Sequence, residues 1–202
     1  MTTLDDRPLA LDGTAADLLF RQARTANAFS PEPVTDEQLA EIYALAKFGP
    51  TAINAQPLRV VAIRSDEAKA RLLPHLAEFN RGKAASAPLT LVLGYDVDFH
   101  DELPKVFPHN PAVKDGFAEE SSRHAFARDN AHLQAGYLIL AIRAAGLAAG
   151  PMGGFDKDGL DAELFADGRT KSILVVNVGR PAENAWFDRL PRLDYDEVVT
   201  TL

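Results

Sequence analysis

The segment from Lys47 to Ser65, KFGPTAINAQPLRVVAIRS, most constrains what this chain can fold into. A helix-period segment stops at Gly49-Pro50, a polar loop runs from Thr51 to Gln56, and Pro57 opens the run Arg59-Val60-Val61-Ala62-Ile63-Arg64. Gly-Pro ends a helix because glycine frees the backbone and proline removes a donor. The β-branched, alternating residues that follow predict a strand. A strand needs a sheet, so the loop is held at a sheet edge with its amides, Asn54 and Gln56 displayed. Loops held by rigid elements are where binding sites are built.

The flanking sequence supplies helices and further strands. Thr14 with Asp17 predicts a capped helix start running toward Arg24, and Ala26 to Val34, with two prolines, reads as extended loop. Thr35 and Gln38 form a capping-box pair ahead of the stripe Leu39, Ile42, Tyr43 and Ala46. Ser65 starts a helix that Pro74 kinks or divides, and Ala87–Tyr95 and Lys171–Gly179 read as buried strands. Residues 96–117 hold three prolines and read as a long functional loop. Ala118–Ala145 is the strongest helical pattern, with Phe126, Asn130, Leu133, Tyr137, Leu140, Ala141 and Ala144 on one stripe and Gly146 as its stop. Its second half is apolar nearly all round, as in a central helix or a subunit interface. Ala148–Asp156 is a small, Gly-rich turn with Asp156 as the next N-cap, and the tail ends in a helical piece, Asp194–Val199. These pieces predict one domain over residues 1–202, with an arm at 1–13 and an extension at 180–202.

Composition closes off several classes. A net charge of −8 argues against non-specific nucleic-acid or acidic-membrane binding. The absence of Cys removes disulfides, thiolate nucleophiles and Cys-ligated zinc. No secretory signal is visible, and the apolar run near Leu138–Ile142 is far too short to span a bilayer, so a soluble cytoplasmic protein is expected. There is no H-E-x-x-H, no G-x-S-x-G, no Walker loop and no G-x-G-x-x-G. Either the chain is not an enzyme, or a bound cofactor carries the chemistry.

Three features favour the cofactor: Arg21–Asn27 with two cations, a hydroxyl and an amide; Asn80-Arg81-Gly82-Lys83, read as a basic loop before a strand; and Gly153-Gly154, where missing β-carbons let backbone amides approach a planar ligand. Each has a plainer reading, as a solvated helix face, an ordinary loop and a simple turn. Together with Arg189 and Arg192 they supply a phosphate clamp, polar loops and a flat backbone face, which a mononucleotide needs.

In this order the pieces resemble the FMN-dependent nitroreductase superfamily, from about Leu18 to Val199. Arg24-Thr25-x-Asn27-x-Phe29 is similar to its R-S-x-R-x-F element, whose Arg and hydroxyl hold the FMN phosphate and ribityl chain. Gly49-Pro50-Thr51-Ala52-x-Asn54-x-Gln56-Pro57 resembles P-S-x-x-N-x-Q-P-W, which reaches the flavin from the partner subunit. Asn80-x-x-Lys83-x-x-x-Ala87-Pro88 matches N-x-x-[QK]-V-x-x-A-P, whose Asn contacts the pyrimidine. Pro151-Met152-Gly153-Gly154-Phe155 corresponds to P-I-E-G-F, whose amides approach N5, and Arg189 and Arg192 sit where the family places basic residues on the phosphate. In this chain Asn27 replaces a basic residue, Leu58 replaces the Trp and Gly153 replaces the Glu. These departures, with the GPMxGFD turn and the R-L-P-R-L tail, resemble the malonic semialdehyde reductases (3-hydroxypropanoate dehydrogenases) of pyrimidine-ring catabolism.

The resemblance implies an α+β, nitroreductase-like fold: a central mixed sheet flanked by helices in a three-layer sandwich. It implies a homodimer with flavin sites at the interface and residues 180–202 extended onto the partner. FMN would take hydride from NADPH or NADH, with no catalytic side chain and no metal. Arg24, Arg189 and Arg192 would hold the phosphate, Asn80 and Asn54 the ring, and Gly153 and Gly154 the region near N5. His109 or water would supply a proton, and Lys105 and Arg123 are candidate cations for a substrate carboxylate. The implied reaction reduces malonic semialdehyde to 3-hydroxypropanoate. Two alternatives stand beside it, a broad NAD(P)H nitro- or quinone reductase and a flavin-binding protein without nicotinamide-linked activity.

Overall fold

A computed structural model describes residues 10–202, so most of the expected arm lies outside the described residues. Its helices are α1 (Gly13–Ala16), continued by a π-helical turn Asp17–Arg21, α2 (Asp36–Ala46), α3 (Asp66–Leu72), α4 (Glu78–Ser86), α5 (Leu103–Val106), α6 (Glu120–Ala144), α7 (Lys157–Leu164) and α8 (Tyr195–Val198). Four strands, β1 (Leu58–Ile63), β2 (Leu89–Asp96), β3 (Ala148–Met152) and β4 (Thr170–Gly179), form one sheet in the order β1-β2-β4-β3.

Alternation along the strands makes the layers. Leu89, Leu91 and Leu93 of β2, with Val176 and Val178 of β4, pack against Ile42 and Ala46 of α2 and Ala131, Ala135, Leu138 and Ile142 of α6. Val92 and Val175 point the other way, onto Leu72, Leu76, Ala84 and Leu160 from the α3, α4 and α7 side. Each fully buried Leu, Ile or Val contributes about 1.5–3 kcal/mol. The register of β2 against β4 steps from Leu93↔Leu174 to Gly94↔Ser172, which leaves Ile173 unpaired in a bulge. Ile173 and Leu174 therefore both reach the α2–α6 side of the sheet.

The three-layer α+β architecture is as expected, but the sheet is not mixed. All its pairings are antiparallel among the described residues. The connections from β1 to β2 and from β3 to β4 leave and re-enter at the same end of the sheet, so those neighbours run oppositely.

Local chemistry sets the helix ends. Thr35 accepts from Gln38 N at 3.2 Å while Gln38 accepts from Thr35 N at 2.9 Å, closing the expected box. At the first helix the cap is Asp12, whose Oδ1 accepts from Ala15 N at 2.7 Å, rather than Thr14. Pro74 ends α3 in the 3₁₀ turn Leu73–His75. Asn80–Lys83 lies within α4 and is no loop. Residues 96–117 are largely short helical turns, 99–102, α5 and 111–117, because Pro104 and Pro111 stand in first turns, where a missing donor costs nothing. The Gly-rich stretch after α6 is a strand, β3, paired with β4 from Ala148↔Gly179 to Met152↔Val175. The buried stripe of α6 is Ala127, Asn130, Ala131, Gln134, Ala135, Leu138, Ala141 and Ile142, while Leu133 and Tyr137 of the expected stripe are exposed.

Candidate functional site

Three segments meet in a cavity of about 250 Å³: Thr25, Ala26 and Asn27; Phe79, Asn80 and Lys83 of α4; and Gly150–Gly154 at the end of β3. Small residues make the meeting possible. A β-carbon on Gly150 would stand 2.6 Å from Ala26 O, so the strand and the Thr25–Asn27 segment close up only because residue 150 has none. Ala26 N then donates to Ala149 O at 3.1 Å, and Asn27 N to Ala185 O at 2.9 Å. Asn80 is only 3% exposed, and its Nδ2 donates to Gly154 O at 3.1 Å, which fixes the amide and leaves Oδ1 as its acceptor. Gly154 is packed tightly, with Asn80 and Phe79 each 3.1 Å from where its β-carbon would be. Gly153 differs: nothing lies within 4 Å of that position, and the residue faces open cavity.

A second cavity, about 180 Å³, is lined by the chain neighbours of the first, Ala148–Ala149 and Arg24, and by Asp17. The π-helical turn, the end of α6 and Trp186 enclose it. Arg24 donates to Phe187 O at 3.1 Å with its guanidinium 5.4 Å from the Trp186 ring centroid. Arg143 donates to Leu19 O at 3.1 Å, and Arg189 donates to Ala23 O at 3.0 Å and to Arg21 O.

The loop expected to form the other wall lies elsewhere. Ile53, Asn54 and Gln56 all have left-handed φ, at 50°, 54° and 46°. That is unusual for any side chain and an outlier for a β-branched one. Buried amides of α6 hold the loop: Ala52 N donates to Asn130 Oδ1 at 2.7 Å, and Leu58 N to Gln134 Oε1 at 2.9 Å. Within the loop Gln56 N donates to Thr51 Oγ1 at 3.2 Å, and Gln56 Nε2 to Asn54 Oδ1 at 3.0 Å. Asn54 Nδ2 donates to Val106 O at 2.7 Å and so ties the loop to α5.

Thr25, Asn27, Asn80, Lys83, Pro151, Met152, Gly153 and Gly154 are thus brought together in one cavity. Arg24 lines the adjoining one, with Arg189 beside it. Pro50, Thr51, Ala52, Asn54 and Gln56 meet neither cavity, and Gln56 instead lines a larger groove of about 490 Å³ with Tyr43, Lys47, Leu58 and Lys105. Arg192 bonds to Leu190 O and Pro191 O in its own turn. Arg123 is engaged by Val97 O and Phe117 O, which suits a brace more than a substrate cation, and the His109 ring lies 3.9 Å from that of Phe107. Gly150 and Arg143 were absent from the expected set. Gly150 betrays itself only by a contact distant in sequence, and Arg143 as a cation in an otherwise apolar helix end.

The face that carries α2 and α6 is apolar and uncovered. Phe48 is 76% exposed, Tyr43, Leu45, Leu133 and Tyr137 are exposed with it, and Tyr137 lies so close over Gly49 that a β-carbon there would meet its ring at 2.8 Å. Phe187, Leu190, Leu193 and Tyr195 of the tail are exposed as well. Large exposed apolar patches mark interaction sites.

The donor set fits a planar, amide-rich ring with a phosphate attached. Thr25, Asn27 and Asn80 supply neutral donors and acceptors, Lys83 a cation, Gly153 an open backbone face and the adjoining arginines an anion site. Among the described residues no helix is long and apolar enough to cross a membrane.

The chain is similar to known proteins over most of its length. The pattern of the Nitroreductase family matches residues 20–180. A Streptomyces coelicolor protein provisionally named NADH dehydrogenase/NAD(P)H nitroreductase is 56% identical over 96% of this chain and 99% of its own. A Stenotrophomonas maltophilia protein of the same provisional name is 49% identical over 94% and 97%. Among solved structures, a provisionally named nitroreductase from Exiguobacterium sibiricum in complex with FMN superposes with a TM-score of 0.83 at 22% identity, over 96% of this chain and 99% of that one.

Proposed function

The chain belongs to the Nitroreductase family, and from that membership we propose an FMN-dependent NAD(P)H oxidoreductase that works as a homodimer and reduces malonic semialdehyde to 3-hydroxypropanoate. The observation that carries the reading is the cavity at the end of β3, where eight of the residues expected at a flavin converge around the open face of Gly153. The FMN in the Exiguobacterium sibiricum protein and the nicotinamide-linked names of the relatives support the cofactor and the donor. At about 250 Å³ the cavity is smaller than the roughly 300–1,000 Å³ usual for small-molecule sites. A second copy seated on the exposed apolar face of α2 and α6 would supply the missing wall, and Pro50, Thr51, Ala52, Asn54 and Gln56 would reach the ring from there.

FMN, when bound, would supply the hydride chemistry that links NADPH or NADH to the substrate. The chain's own work is placement. Asn80, oriented by Gly154 O, would meet the polar edge of the ring, with Thr25, Asn27 and Lys83 along the same side. The amides of Gly153 and Gly154 would approach the reacting face, where Gly153 leaves room for a small substrate. Arg24, Arg189 and Arg192 would hold the phosphate. Reduction of the aldehyde adds one hydride at carbon and one proton at oxygen, the proton coming from solvent. Burial between subunits would keep water from the ring.

The relatives' nitroreductase names are compatible with a second reading, a broad nitro- or quinone reductase. Adding NADPH or NADH anaerobically to the yellow protein should bleach it, and turnover on malonic semialdehyde should exceed that on a nitrofuran. Reduction of the nitro compound alone would replace the substrate assignment. A flavin that stays yellow with both donors would leave only a flavin-binding protein. Colourless protein that takes up no FMN would end the whole reading.

A further inference from the structure

The smaller cavity holds more positive charge than its fold needs. Arg24 and Arg143 line it with one carboxylate, Asp17, which pairs with Arg21 at 3.5 Å, and the hydrogen bonds of Arg24, Arg143 and Arg189 end on backbone carbonyls, at Phe187, Leu19, Ala23 and Arg21. No carboxylate among the described residues pairs with any of the three. Carbonyl bonds use one or two of the five donors on each guanidinium and neutralise none of its charge. Arg143 feels this most: burial first, and the nearby Arg189 charge second, pull its guanidinium below the ordinary arginine value. Like charges gathered in a half-buried space are unfavourable unless an anion joins them. A phosphate monoester is the group that planar, forked donors suit best. The two cavities also adjoin along the chain, at Arg24/Thr25 and at Ala149/Gly150. A molecule with its ring in the first would place a short polar chain's terminal group in the second.

We propose that Arg143, from the end of α6, binds the phosphate of the flavin together with Arg24 and makes the site selective for phosphorylated flavin over riboflavin. This rests on the flavin reading above. A merely structural Arg143, bracing the π-helical turn through Leu19 O, would weaken both flavins alike.

Full-length protein freed of flavin is titrated with FMN and with riboflavin, following the quenching of flavin fluorescence. Arg143→Met, which keeps the apolar stem, should weaken FMN about 10- to 100-fold, the worth of one or two charge-assisted hydrogen bonds, and leave riboflavin within about twofold. Arg143→Lys should recover part of the lost preference and serves in its place if the methionine variant does not fold. The proposal is overturned if the ratio of FMN to riboflavin affinity is unchanged in both variants. It is equally overturned if only the preference for NADPH over NADH changes, since the phosphate bound there would then belong to the nicotinamide donor. Wild-type protein that binds neither flavin would instead defeat the flavin reading itself.

Discussion

The wall made by Thr25–Asn27, α4 and β3 and the wall made by Thr51–Gln56 are built in opposite ways. The first is made by removing atoms: Gly150 lets Ala26 come in, and Gly154 lets Asn80 and Phe79 come in. None of its residues has a left-handed φ, and its Asn80 is held by a backbone oxygen. The second is made by holding a strained backbone with buried amides of α6, Asn130 and Gln134. The first wall is finished by its own chain. The second is held ready beside an uncovered apolar face.

The largest effect is expected from Asp96→Ala, which strikes the support of the second wall. Asp96 is 2% exposed, takes Arg59 at 2.6 Å and Arg169 at 3.0 Å, and its N–H donates to Pro57 O at 2.8 Å. Removing one member of a buried pair costs about 3–5 kcal/mol. Arg59 and Arg169 keep partial contact with water, so the lower end applies, with a fall in melting temperature of roughly 6–12 °C. A fall under about 2 °C would mean that β1 and the loop are anchored elsewhere.

Gly150→Val strikes the first wall and should cost about 1–3 kcal/mol by overpacking against Ala26. Flavin binding should weaken with it, because Thr25 and Asn27 flank the displaced residue. Gly153→Ala makes the contrast: open space predicts no loss of stability, only less room in the cavity. Equal melting losses from the two substitutions would abolish the distinction drawn between these glycines.

Asn130→Ala orphans Ala52 N, at a cost of about 1–2 kcal/mol, and frees the loop. Limited proteolysis should then cut near residues 51–56 while the spectrum of bound flavin at the first wall changes little. A flavin site that collapses together with the loop would show the two walls to be one unit.

The smallest effect concerns Glu119, the N-cap of α6, on the same helix that holds the loop. Hydrogen bonds from Ser122, then from Ser121, hold the Glu119 carboxyl down from 4.5 to about 2. Its folded pKa is depressed, so its contribution is fully present above about pH 4.5 and is lost as pH falls toward about 2. Glu119→Gln should flatten stability across that window, measured as melting temperature against pH, and an unchanged slope would discount the cap.

Much of the frame could be read from local chemistry. Thr35 with Gln38, Ser65, Asp156 and Pro74 act on their own turns, so residue type alone located them. β3 escaped because Ala148–Met152 has no β-branched residue, and it is a strand only because β4 offers it an edge and small side chains permit the approach of Ala26. The stripe of α6 was misphased for a different reason. Leu133 and Tyr137 have the same apolar chemistry as core residues, and periodicity cannot tell a core face from one kept for another molecule. The candidate site divides along the same line: its motifs were legible one by one, but not that Asn54 spends its amide on Val106 O. Arg143 needed the fold, because only tertiary structure places it beside Arg24.

Left-handed backbone at Ile53, Asn54 and Gln56 has one more consequence. Each such residue costs on the order of 1–3 kcal/mol, a cost released whenever the segment opens. Residues 51–57 should therefore open far more often than the sheet they adjoin, and their amides should exchange hydrogen early in an isolated chain. A second copy closing over them would slow that exchange, making this short stretch a reporter of assembly that can be followed by mass without labels or ligands.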